Sequence, residues 1–501
     1  MKEERLPKGW KELPLIDLLE VLETGSRPKG GVQGILNGIP SLGGEHLDYN
    51  GNFKFDKLKY IPDEFAQKMK RGKIQEDDVL IVKDGATTGK TSYVSNDFPF
   101  ENAYVNEHVF ICRPTKLNSG KFISYFLRSR EGQIRILENF TGSAQGGINQ
   151  KFAKNTIIPI PPLPEQKRIV SRLDAIFGHL DVLREKLDRI PELLKNFRQQ
   201  VLTQAVTGDL TREWRIDQSI NQDLSLEEGQ KIINLKKEIY KNESANFLDK
   251  LDDSTKIDTS GDLFSEDWIS VNPSFISAPE RYSIGIGPFG SNLKVSDYTT
   301  EGHPLIFVRN VIANNFKDLD PKFVSKAKFV ELIPHSVKSG DLLITKMGTP
   351  PGDCEIYPEN SKDGIITSDV LKVRVWKEYF VPKFYKFAIS SKLVKEQIEG
   401  ITKGVAHQKI SLKRFKEIQL PFPTKNEQQE IVKRVDALFG IAEKIEFQYQ
   451  SLKAKIDQMP QAVLAKAFRG ELVGQEGKEY VREVGEVLMA AESNSINNEN
   501  S

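Results

Sequence analysis

The chain has 501 residues, and its 71 lysine and arginine residues are balanced by 70 aspartate and glutamate residues, giving a net charge of +1. This length predicts several structural units rather than one compact domain. The charge balance argues against a protein that holds a long stretch of DNA by charge alone. Because the sequence has no apolar run of about 18 residues and no signal-peptide pattern, we expect a soluble, cytoplasmic chain.

The first globular region is predicted to span residues 1–157 and to mix helices with many short strands. Residues 79–82 (Val-Leu-Ile-Val) have the composition of a buried strand that ends at a glycine turn. The turn, residues 85–91, is one residue short of a phosphate-binding P-loop, because Asp84 takes the place of the first glycine. It also lies between two strand-like runs, where no helix N-terminus can bind phosphate. We therefore predict an ordinary turn.

A helical region follows at residues 158–210 and opens with a proline-rich entry at Pro159 and Pro161. Its apolar residues then alternate in steps of four and three, which is typical of the seam of a coiled coil. The seam contains Ile169, Leu173, Ile176, Leu180, Leu183 and Leu187. Gly208 is a stop signal for this helix.

Residues 211–262 form a polar linker with one predicted helix. Ser225 followed by Glu228 matches a capping box, so the helix should run from Leu226 to Tyr240. Residues 241–262 are expected to be flexible because they are polar and poor in apolar groups.

The second globular region, residues 263–419, is predicted to share a skeleton with the first. Residues 340–352 parallel residues 77–89 and include a second strand-like run at 342–345. Residues 285–290 fit G-x-G-x-x-G but lack the strand–helix context and the downstream acidic residue of a dinucleotide site. Residues 272–275 (Asn-Pro-Ser-Phe) nearly fit an amino-methyltransferase motif but lack its second proline and a glycine-rich cofactor loop. We expect no cofactor site at either place.

The second helical region, residues 420–475, repeats the first. The segment 164–178 returns at 426–440, 262 residues later, and nine of the fifteen paired residues are identical. The second seam contains Ile431, Val435, Leu438, Ile445, Tyr449 and Leu452. Pro191 and Pro460 fall inside the two helical patterns and should kink or interrupt them. The tail, residues 476–501, is predicted to be partly disordered.

The predicted fold class is α+β. Two β-rich mixed regions are separated by two long helices, and the chain has a pseudo-two-fold internal duplication rather than a solenoid of many short repeats. A long helix with one apolar stripe needs a partner, so we predict that the two helices pair as an antiparallel coiled coil. The alternative is that each helix packs on its neighbouring globular region.

Residues with catalytic or metal-binding chemistry form no recognisable motif in this chain. Cys112 and Cys354 lie in different halves and cannot supply a metal quartet, which fits a reducing cytosol. The six histidines lack metal-binding spacing such as H-E-x-x-H, and no Ser/His/Asp grouping is visible. We expect no catalytic residue, metal or cofactor in this chain.

These features together resemble the specificity subunit of type I restriction–modification enzymes. The resemblance is carried by the Pro-x-Pro-x-x-x-Glu-Gln pattern at 159–166, its match at 421–428, and Gly-Pro-Phe-Gly-Ser-Asn-Leu-Lys at 287–294. It implies that residues 1–157 and 263–419 are target-recognition domains, each reading one half of a split double-stranded DNA target. It also implies that the helices fix the distance between the halves.

The same resemblance implies the partners. Two modification (methyltransferase) subunits would dock on the helices, and restriction (translocase) subunits would complete the complex. S-adenosylmethionine, ATP and Mg would be bound by those partners, and this chain would be the non-catalytic part of a complex that methylates adenine at N6.

Ten residues in glycine-containing loops or at their edges are candidate DNA contacts, because their side chain types can reach phosphates and base edges. They are Lys83, Lys90, Lys294, Arg309, Asn310, Lys346, Lys403, His407, Gln408 and Lys409.

Two other functions are open at this point. The paired regions could belong to a protein–protein scaffold that binds peptides or subunits without DNA, and salt-sensitive, sequence-dependent duplex binding would separate that function from DNA recognition. An enzyme fused to its own recognition domains is disfavoured because no segment remains to house catalysis.

Overall fold

The computed structural model describes residues 6–142, 146–241, 257–260, 263–312, 316–317, 319–348, 350–402 and 408–473. Contacts divide the chain into two compact units, Met1–Asp188 with Gln450–Ser501, and Arg189–Tyr449. Each unit contains one globular region and parts of both helical regions. Helices and strands occur in both, so the predicted α+β class is confirmed.

The first unit combines short strands with helices up to the first long helix. Its strands are Lys11–Pro14, Leu19–Thr24, Ile39–Leu42, Tyr60–Ile61, Val79–Val82, Thr91–Tyr93, Tyr104–Val105, Val109–Pro114 and Ile157–Ile160. Its helices are Asp63–Lys68, Gly120–Arg128, Arg130–Leu137, Phe152–Asn155 and Leu163–Asp188, with the end of Lys425–Phe468.

The second unit has the same mixture. Its strands are Ile257–Asp258, Ile269–Val271, Ile284–Ile286, Tyr298–Thr299, His303–Ile306, Phe323–Val324, Ser336–Val337, Leu342–Thr345, Met347–Gly348, Cys354–Ile356, Gly364–Ile366, Val370–Val373, Gln408–Lys409 and Leu420–Phe422. Its helices are Ile190–Thr207, Arg212–Asp217, Gln222–Lys241, Pro273–Ile276, Val308–Val311, Lys326–Glu331, Pro382–Ser390, Lys392–Gly400, Leu412–Phe415 and the start of Lys425–Phe468.

Each globular region is built on a four-stranded antiparallel sheet. The strand order in the first region is Leu19–Thr24, Val109–Pro114, Val79–Val82, Thr91–Tyr93. In the second region it is Ile284–Ile286, Val370–Val373, Leu342–Thr345, Cys354–Ile356. All residues of Val79–Val82 and Leu342–Thr345 are buried, which confirms both predicted buried strands.

The segment that nearly fits a P-loop is the hairpin turn predicted from its position. The strands on either side of it, Val79–Val82 and Thr91–Tyr93, pair with each other. Within the turn, Thr88 Oγ1 donates to Gly85 O at 2.7 Å. No helix begins there, so no helix N-terminus faces a phosphate.

The glutamate of the repeat anchors each globular region to the helix that follows it. Glu165 accepts a hydrogen bond from Trp10 Nε1 at 3.1 Å. Glu427 accepts from Trp268 Nε1 at 2.9 Å. Glu427 also accepts from Thr211 Oγ1 at 2.8 Å and is buried, whereas Glu165 is half-buried.

The glutamine of the repeat makes an equivalent pair of bonds in each unit. Gln166 Nε2 donates to Pro161 O at 2.9 Å, and its Oε1 accepts from Ser119 N at 2.9 Å. Gln428 makes the same two bonds, to Pro423 O at 2.9 Å and from Val381 N at 2.9 Å. Since both amides are buried and bonded at both ends, the Pro-x-Pro-x-x-x-Glu-Gln pattern works as a docking motif between each long helix and its globular region.

A second anchor lies two turns further along each helix. Lys121 Nζ lies 2.8 Å from Asp174 Oδ2, and Lys383 Nζ lies 2.7 Å from Asp436 Oδ2. The next repeated aromatic residue packs on a ring of its own globular region, in the pairs Tyr125–Phe177 and Phe387–Phe439. Identical positions of the repeat therefore bind each helix to the region before it.

Within each unit the two repeated helices also contact each other. In the first unit Asp188 pairs with Lys453 at 3.1 Å and Arg184 with Asp457 at 3.8 Å. Residue numbers decrease along one helix while they increase along the other, so the two helices run antiparallel at this contact. In the second unit Arg198 pairs with Glu446 at 2.7 Å.

Most of the predicted seam is buried. The buried members are Ile169, Leu173, Ile176, Leu180, Leu187, Ile431, Val435 and Tyr449. Leu183, Leu438 and Leu452 are half-buried, and Ile445 is 39% exposed. Ile431 and Val435 belong to the core of the second globular region. Packing on a neighbouring region, the alternative considered above, therefore applies at this helix end.

The two prolines behave differently. The helix Leu163–Asp188 ends just before Pro191, which is the second residue of the next helix, Ile190–Thr207. The predicted interruption is confirmed there, where proline is tolerated because first-turn N–H groups lack helical partners. By contrast, the helix Lys425–Phe468 continues through Pro460.

The linker helix is longer than predicted and has a different cap. It spans Gln222–Lys241. Asn221 Oδ1 accepts from Leu224 N at 3.2 Å, whereas Ser225 lies inside the helix and donates to Asp267 O at 3.4 Å. The predicted capping box at Ser225 was wrong, because Asn221 caps the helix instead.

The remaining predictions for polar segments fall on residues that are not described. The tail 476–501 lies outside the described residues, as does most of 242–262. Among the described residues, no helix is long and apolar enough to cross a membrane.

Candidate nucleic-acid interface

Each globular region has a polar surface where its buried central strand ends at a lysine. Lys83 Nζ donates to Glu107 O at 3.4 Å, and Lys346 Nζ donates to Ser368 O at 3.2 Å. We call these surfaces the first tip (Arg27, Lys83, Asp84, Glu107 and His108) and the second tip (Phe289, Lys346, Asp369 and Lys409). The backbone N of Lys83 donates to His108 O at 2.8 Å, and that of Lys346 to Asp369 O at 2.8 Å. The two lysines thus occupy corresponding places.

A glycine-dependent loop supplies another residue to each tip. A Cβ on Gly25 would lie 1.6 Å from Val105 O, and one on Gly287 would lie 2.1 Å from Thr367 O. No side chain fits such a close backbone contact, so glycine is required at both places. The residue two positions later is Arg27 in the first tip and Phe289 in the second.

The first tip is a compact cluster of charged groups. His108 Nδ1 lies 2.6 Å from Asp84 Oδ1, and His108 Nε2 lies 3.3 Å from Glu107 Oε1. The Arg27 guanidinium contacts both Glu107 and His108. Lys83 Nζ lies 3.9 Å from Asp84 Oδ2. These side chains are 29–39% exposed, so they are held in place yet open to a ligand.

The second tip is aromatic and basic instead. Phe289 is 63% exposed, and Lys346 Nζ lies 5.2 Å from the centre of its ring. Lys409 pairs with Met347 in a short antiparallel ladder and has an exposed side chain. Burial lowers the pKa of Lys346, and the charge of Lys409 lowers it further while Asp369 opposes the change. An anion at this tip would relieve the repulsion between the two lysines.

Two of the ten predicted DNA contacts are instead internal supports. Lys90 is 8% exposed, and its ammonium donates to Leu47 O at 2.9 Å and Gly44 O at 3.1 Å. Asn310 is 2% exposed; its side chain accepts from Phe307 N at 2.8 Å and donates to Lys317 O at 2.7 Å. We withdraw both as DNA contacts, because their polar groups hold backbone inside the fold.

The other predicted contacts differ in how available their side chains are to bind DNA. Arg309 is partly exposed but donates to Leu319 O at 3.0 Å and Asp320 O at 2.8 Å, so its guanidinium is occupied. Lys294 is exposed. The backbone of Gln408 pairs with Gly348. Lys403 and His407 lie outside the described residues. Lys83, Lys294, Lys346 and Lys409 stay as predicted contacts, and so do Lys403, His407 and Gln408, whose side chains lie outside the described part of the structure.

At the opposite end of each central strand lies a buried ion pair that the sequence analysis missed. Arg113 binds Asp78 through Nε at 2.8 Å and Nη2 at 2.9 Å. Arg374 binds Asp341 through Nε at 3.0 Å and Nη2 at 2.9 Å. Such two-point pairs fix geometry. The available signal was the aspartate that precedes both strand-like runs.

Arg27, Asp84, Glu107, His108 and Phe289 were also missed at the tips. In the first tip, Arg27, Asp84 and the neighbours Glu107 and His108 come from three separate places in the sequence, and only the fold brings them together. A usable signal was the spacing of the duplication, because Gly25 and Gly287 are 262 residues apart, like the repeated helices. That spacing would have shown that Arg27 and Phe289 occupy matching positions.

The described ranges contain no cluster of three or more His, Cys, Asp or Glu side chains that could hold a metal ion. Cys112 and Cys354 are free and buried, and burial raises the pKa of both thiols. Neither thiol is therefore a reactive thiolate at neutral pH. The tips present charged groups, hydrogen-bonding groups and one exposed aromatic ring, which are suited to binding a ligand rather than to catalysis.

Sequence comparison identifies proteins of similar length and organisation. The family model for the type I restriction modification DNA specificity domain matches residues 7–192 and 360–453. The EcoKI specificity subunit of a type I restriction enzyme from Escherichia coli K12 is 26% identical over 485 residues, covering 95% of this chain and 92% of that protein. The EcoBI specificity subunit from Escherichia coli is 29% identical over 353 residues, covering 70% and 66%.

Solved structures share the fold. The crystal structure of the HsdS subunit from Thermoanaerobacter tengcongensis aligns with a TM-score of 0.57 at 18% identity, covering 94% of this chain and 99% of that chain. A chain from a study of complex assembly and conformational transition of the type I R-M system aligns with a TM-score of 0.61 at 16% identity, covering 93% and 100%.

The fold and its tips define a recognition protein built from two like regions. The chain belongs to the type I restriction modification DNA specificity family. Its role is DNA sequence specificity, and recognition subunits of this kind are not enzymes.

Proposed function

We propose that this chain gives a type I restriction–modification complex its specificity by reading a split double-stranded DNA target. Residues 1–157 and 263–419 would be the two recognition domains, residues 158–210 and 420–475 the helical regions, and residues 211–262 the linker. The observation that carries this proposal is that the same docking contacts occur twice, while the tips above them differ in chemistry.

Two linked recognition domains multiply their specificity. Each tip offers a short contact surface, but binding at one half-site raises the effective concentration of the other domain at its own half-site. The gain is lost when the half-sites are wrongly spaced. A chain with a net charge of +1 has little excess charge to hold DNA, so partner subunits would complete the grip on the phosphate backbone.

We also propose that the repeated helices pair as an antiparallel coiled coil and set the distance between the half-sites. The ion pairs Asp188–Lys453 and Arg184–Asp457 in one unit, and Arg198–Glu446 in the other, support this pairing. The buried seam residues support it as well. The pseudo-two-fold duplication would then relate the two helices.

Matched insertions test this spacing function. One heptad placed after Leu194 and another after Tyr449 would lengthen both helices by about 10 Å while keeping the seam in register. With DNA advancing about 3.4 Å per base pair, the spacer between half-sites should grow by roughly one to three base pairs. A four-residue insertion at the same places is the control, because it breaks the alternation of the seam. If the heptad variant is active with an unchanged spacer, the helices do not set the distance.

The partners proposed are two modification subunits, bound to the two like helical regions, together with restriction subunits. Those partners would supply S-adenosylmethionine, ATP and Mg, and adenine N6 would be methylated in the cytoplasm. Native mass spectrometry of the co-expressed complex should show one copy of this chain with two modification subunits. A 1:1 complex at saturation would contradict that count.

A further inference from the structure

We propose that Arg27 and Glu107 form the base-reading pair of the first recognition domain, and that its half-site contains a G·C pair contacted through the major groove. This inference rests on the proposed reading of one half-site by each domain. It assigns a specificity-determining role to two residues that lie 80 positions apart in the sequence.

The exposure and the chemistry of the pair suit contact with a base. The side chains of Arg27 and Glu107 are 39% and 35% exposed, so a ligand can reach both. An arginine fork matches the O6 and N7 acceptors of guanine, and a carboxylate accepts from the N4 amine of cytosine. One arginine beside one carboxylate is therefore complementary to the major-groove edge of a G·C pair.

Neighbouring side chains hold the pair in position. His108 lies between Asp84 and Glu107, and Arg27 contacts both His108 and Glu107. Arg27 follows Gly25, whose backbone is fixed against Val105. The guanidinium thus rests on partners that position it before DNA arrives, and an exposed ion pair of this kind is cheaply exchanged for contacts to a base.

One carboxylate oxygen of the pair is an unsatisfied acceptor. Glu107 Oε2 is buried and has no hydrogen-bond partner. Such atoms are uncommon in folded proteins, and each has a cost unless a donor is supplied. A modest rotation of the Glu107 side chain on DNA binding would present this oxygen to a base amine.

A basic groove lies next to the Arg27 loop. A cavity of about 390 Å³ is lined by Ser26, Lys68, Lys70 and Arg71, together with Phe65 and Met69. Lys68, Lys70 and Arg71 are exposed. Ser26 directly precedes Arg27, so a phosphate backbone bound in this groove would lie close to the reading pair. Contacts of this kind position DNA without reading its sequence.

The test uses the full chain with its modification subunits, and reads both the methylated motif in cells and the binding of duplexes substituted one base pair at a time. Arg27→Ala should relax the motif at one G·C position of one half-site, leaving the other half and the spacer unchanged. Binding of the cognate duplex should weaken about 10- to 100-fold, as expected when a bidentate base contact is lost. Arg27→Lys, which keeps the charge without the fork, should relax the same position.

Matched controls separate reading from general affinity. Lys29→Ala removes an exposed charge from the same loop and should leave the motif intact. Lys70→Ala with Arg71→Ala should weaken binding to all duplexes alike and reduce the salt dependence. If both Arg27 variants keep the full motif, Arg27 and Glu107 do not read a base pair. The proposal is also wrong if the half-site read by the first domain, identified by exchanging that domain for the one of a relative, contains no G·C pair. Failure of the wild-type complex to discriminate any sequence would instead contradict the proposed function itself.

Discussion

The two globular regions are alike where they meet their helices and different at their tips. At the helix, Gln166 and Gln428 make the same bonds with nearly the same lengths. At the tips, a cluster of charged groups around Arg27 stands where the second domain has the exposed ring of Phe289.

This difference fits the proposal that one skeleton serves two targets. The docking residues are buried and bonded at both ends, so changing one of them disturbs the fold. The tip residues are partly exposed and sit on loops positioned by buried strands, so they can vary at little cost to stability. In the proposed function, specificity and assembly therefore depend on different parts of the same globular region.

The largest effect is expected at the glutamate of the docking motif, and it should differ between the domains. Glu427 is buried and accepts from Trp268, Thr211 and Arg215, whose guanidinium is 2.7 Å away. Glu427→Ala leaves three donors in the interior without their acceptor, although Arg215 keeps its ion pair with Asp267. The variant should therefore lower the free energy of unfolding by roughly 3–5 kcal/mol.

The corresponding change in the first domain is the control. Glu165 is half-buried and accepts from Trp10. Glu165→Ala should therefore cost about 1 kcal/mol. Chemical denaturation of both variants measures the difference, and equal losses would show that Arg215 adds nothing to the second docking site.

The next effect should be equal in the two copies. Ile169 and Ile431 are matching seam residues, and both are fully buried. Ile169→Ala and Ile431→Ala should each lower the free energy of unfolding by roughly 2–4 kcal/mol because each leaves a cavity. Ile445→Ala, at a partly exposed seam position, should cost about 1 kcal/mol or less. If denaturation curves show that Ile445→Ala loses as much free energy of unfolding as the other two variants, the observed burial would be contradicted.

The smallest effect concerns a feature found in the second domain. Lys236 on the linker helix is buried, and its Nζ lies within hydrogen-bond distance, 2.7–2.9 Å, of Ser274 O, Phe275 O and Ser277 O. Lys236→Met leaves these carbonyls without that donor and should cost roughly 1–3 kcal/mol. Lys237→Met, at the exposed neighbouring position, is the matched control and should leave stability nearly unchanged.

The Lys236 effect should also depend on pH. Burial lowers the pKa of Lys236 to about 7, below its unfolded value. The folded state therefore binds fewer protons, and the contribution of this lysine to stability increases as the pH rises from about 7 toward 10. The difference between wild type and Lys236→Met should be larger at about pH 9 than at about pH 6. A difference that shrinks over this range would contradict the lowered pKa.

Much of the fold could be predicted from the internal repeat and from the periodicity of apolar residues in the sequence. The seam, the buried strands at 79–82 and 342–345, and the interruption at Pro191 all follow from local patterns. The capping box at Ser225 failed because Asn221, four residues earlier, competes for the same role.

The tips were harder to predict because their residues come together only in the fold. Lys90 and Asn310 lie in or beside loops in the sequence, yet both side chains point inward. Lys90 donates to two backbone carbonyls, and Asn310 accepts from one backbone amide and donates to one carbonyl. Arg27 and Glu107 have no common motif and meet across the end of a sheet. Side chain type and loop position do not determine direction, so surface contacts cannot be assigned from composition.

The most direct test of the account is the methylated motif of a chimaera. Replacing residues 15–156 with the corresponding region of a relative keeps the strand pair Lys11–Pro14 and Ile157–Ile160 that ties the domain together. Sequencing of methylated bases in cells that express the chimaera with its modification subunits should show one half of the motif changed, with the other half and the spacer retained. A folded, active chimaera whose motif is unchanged, or changed in both halves, would contradict the reading of one half-site by each domain.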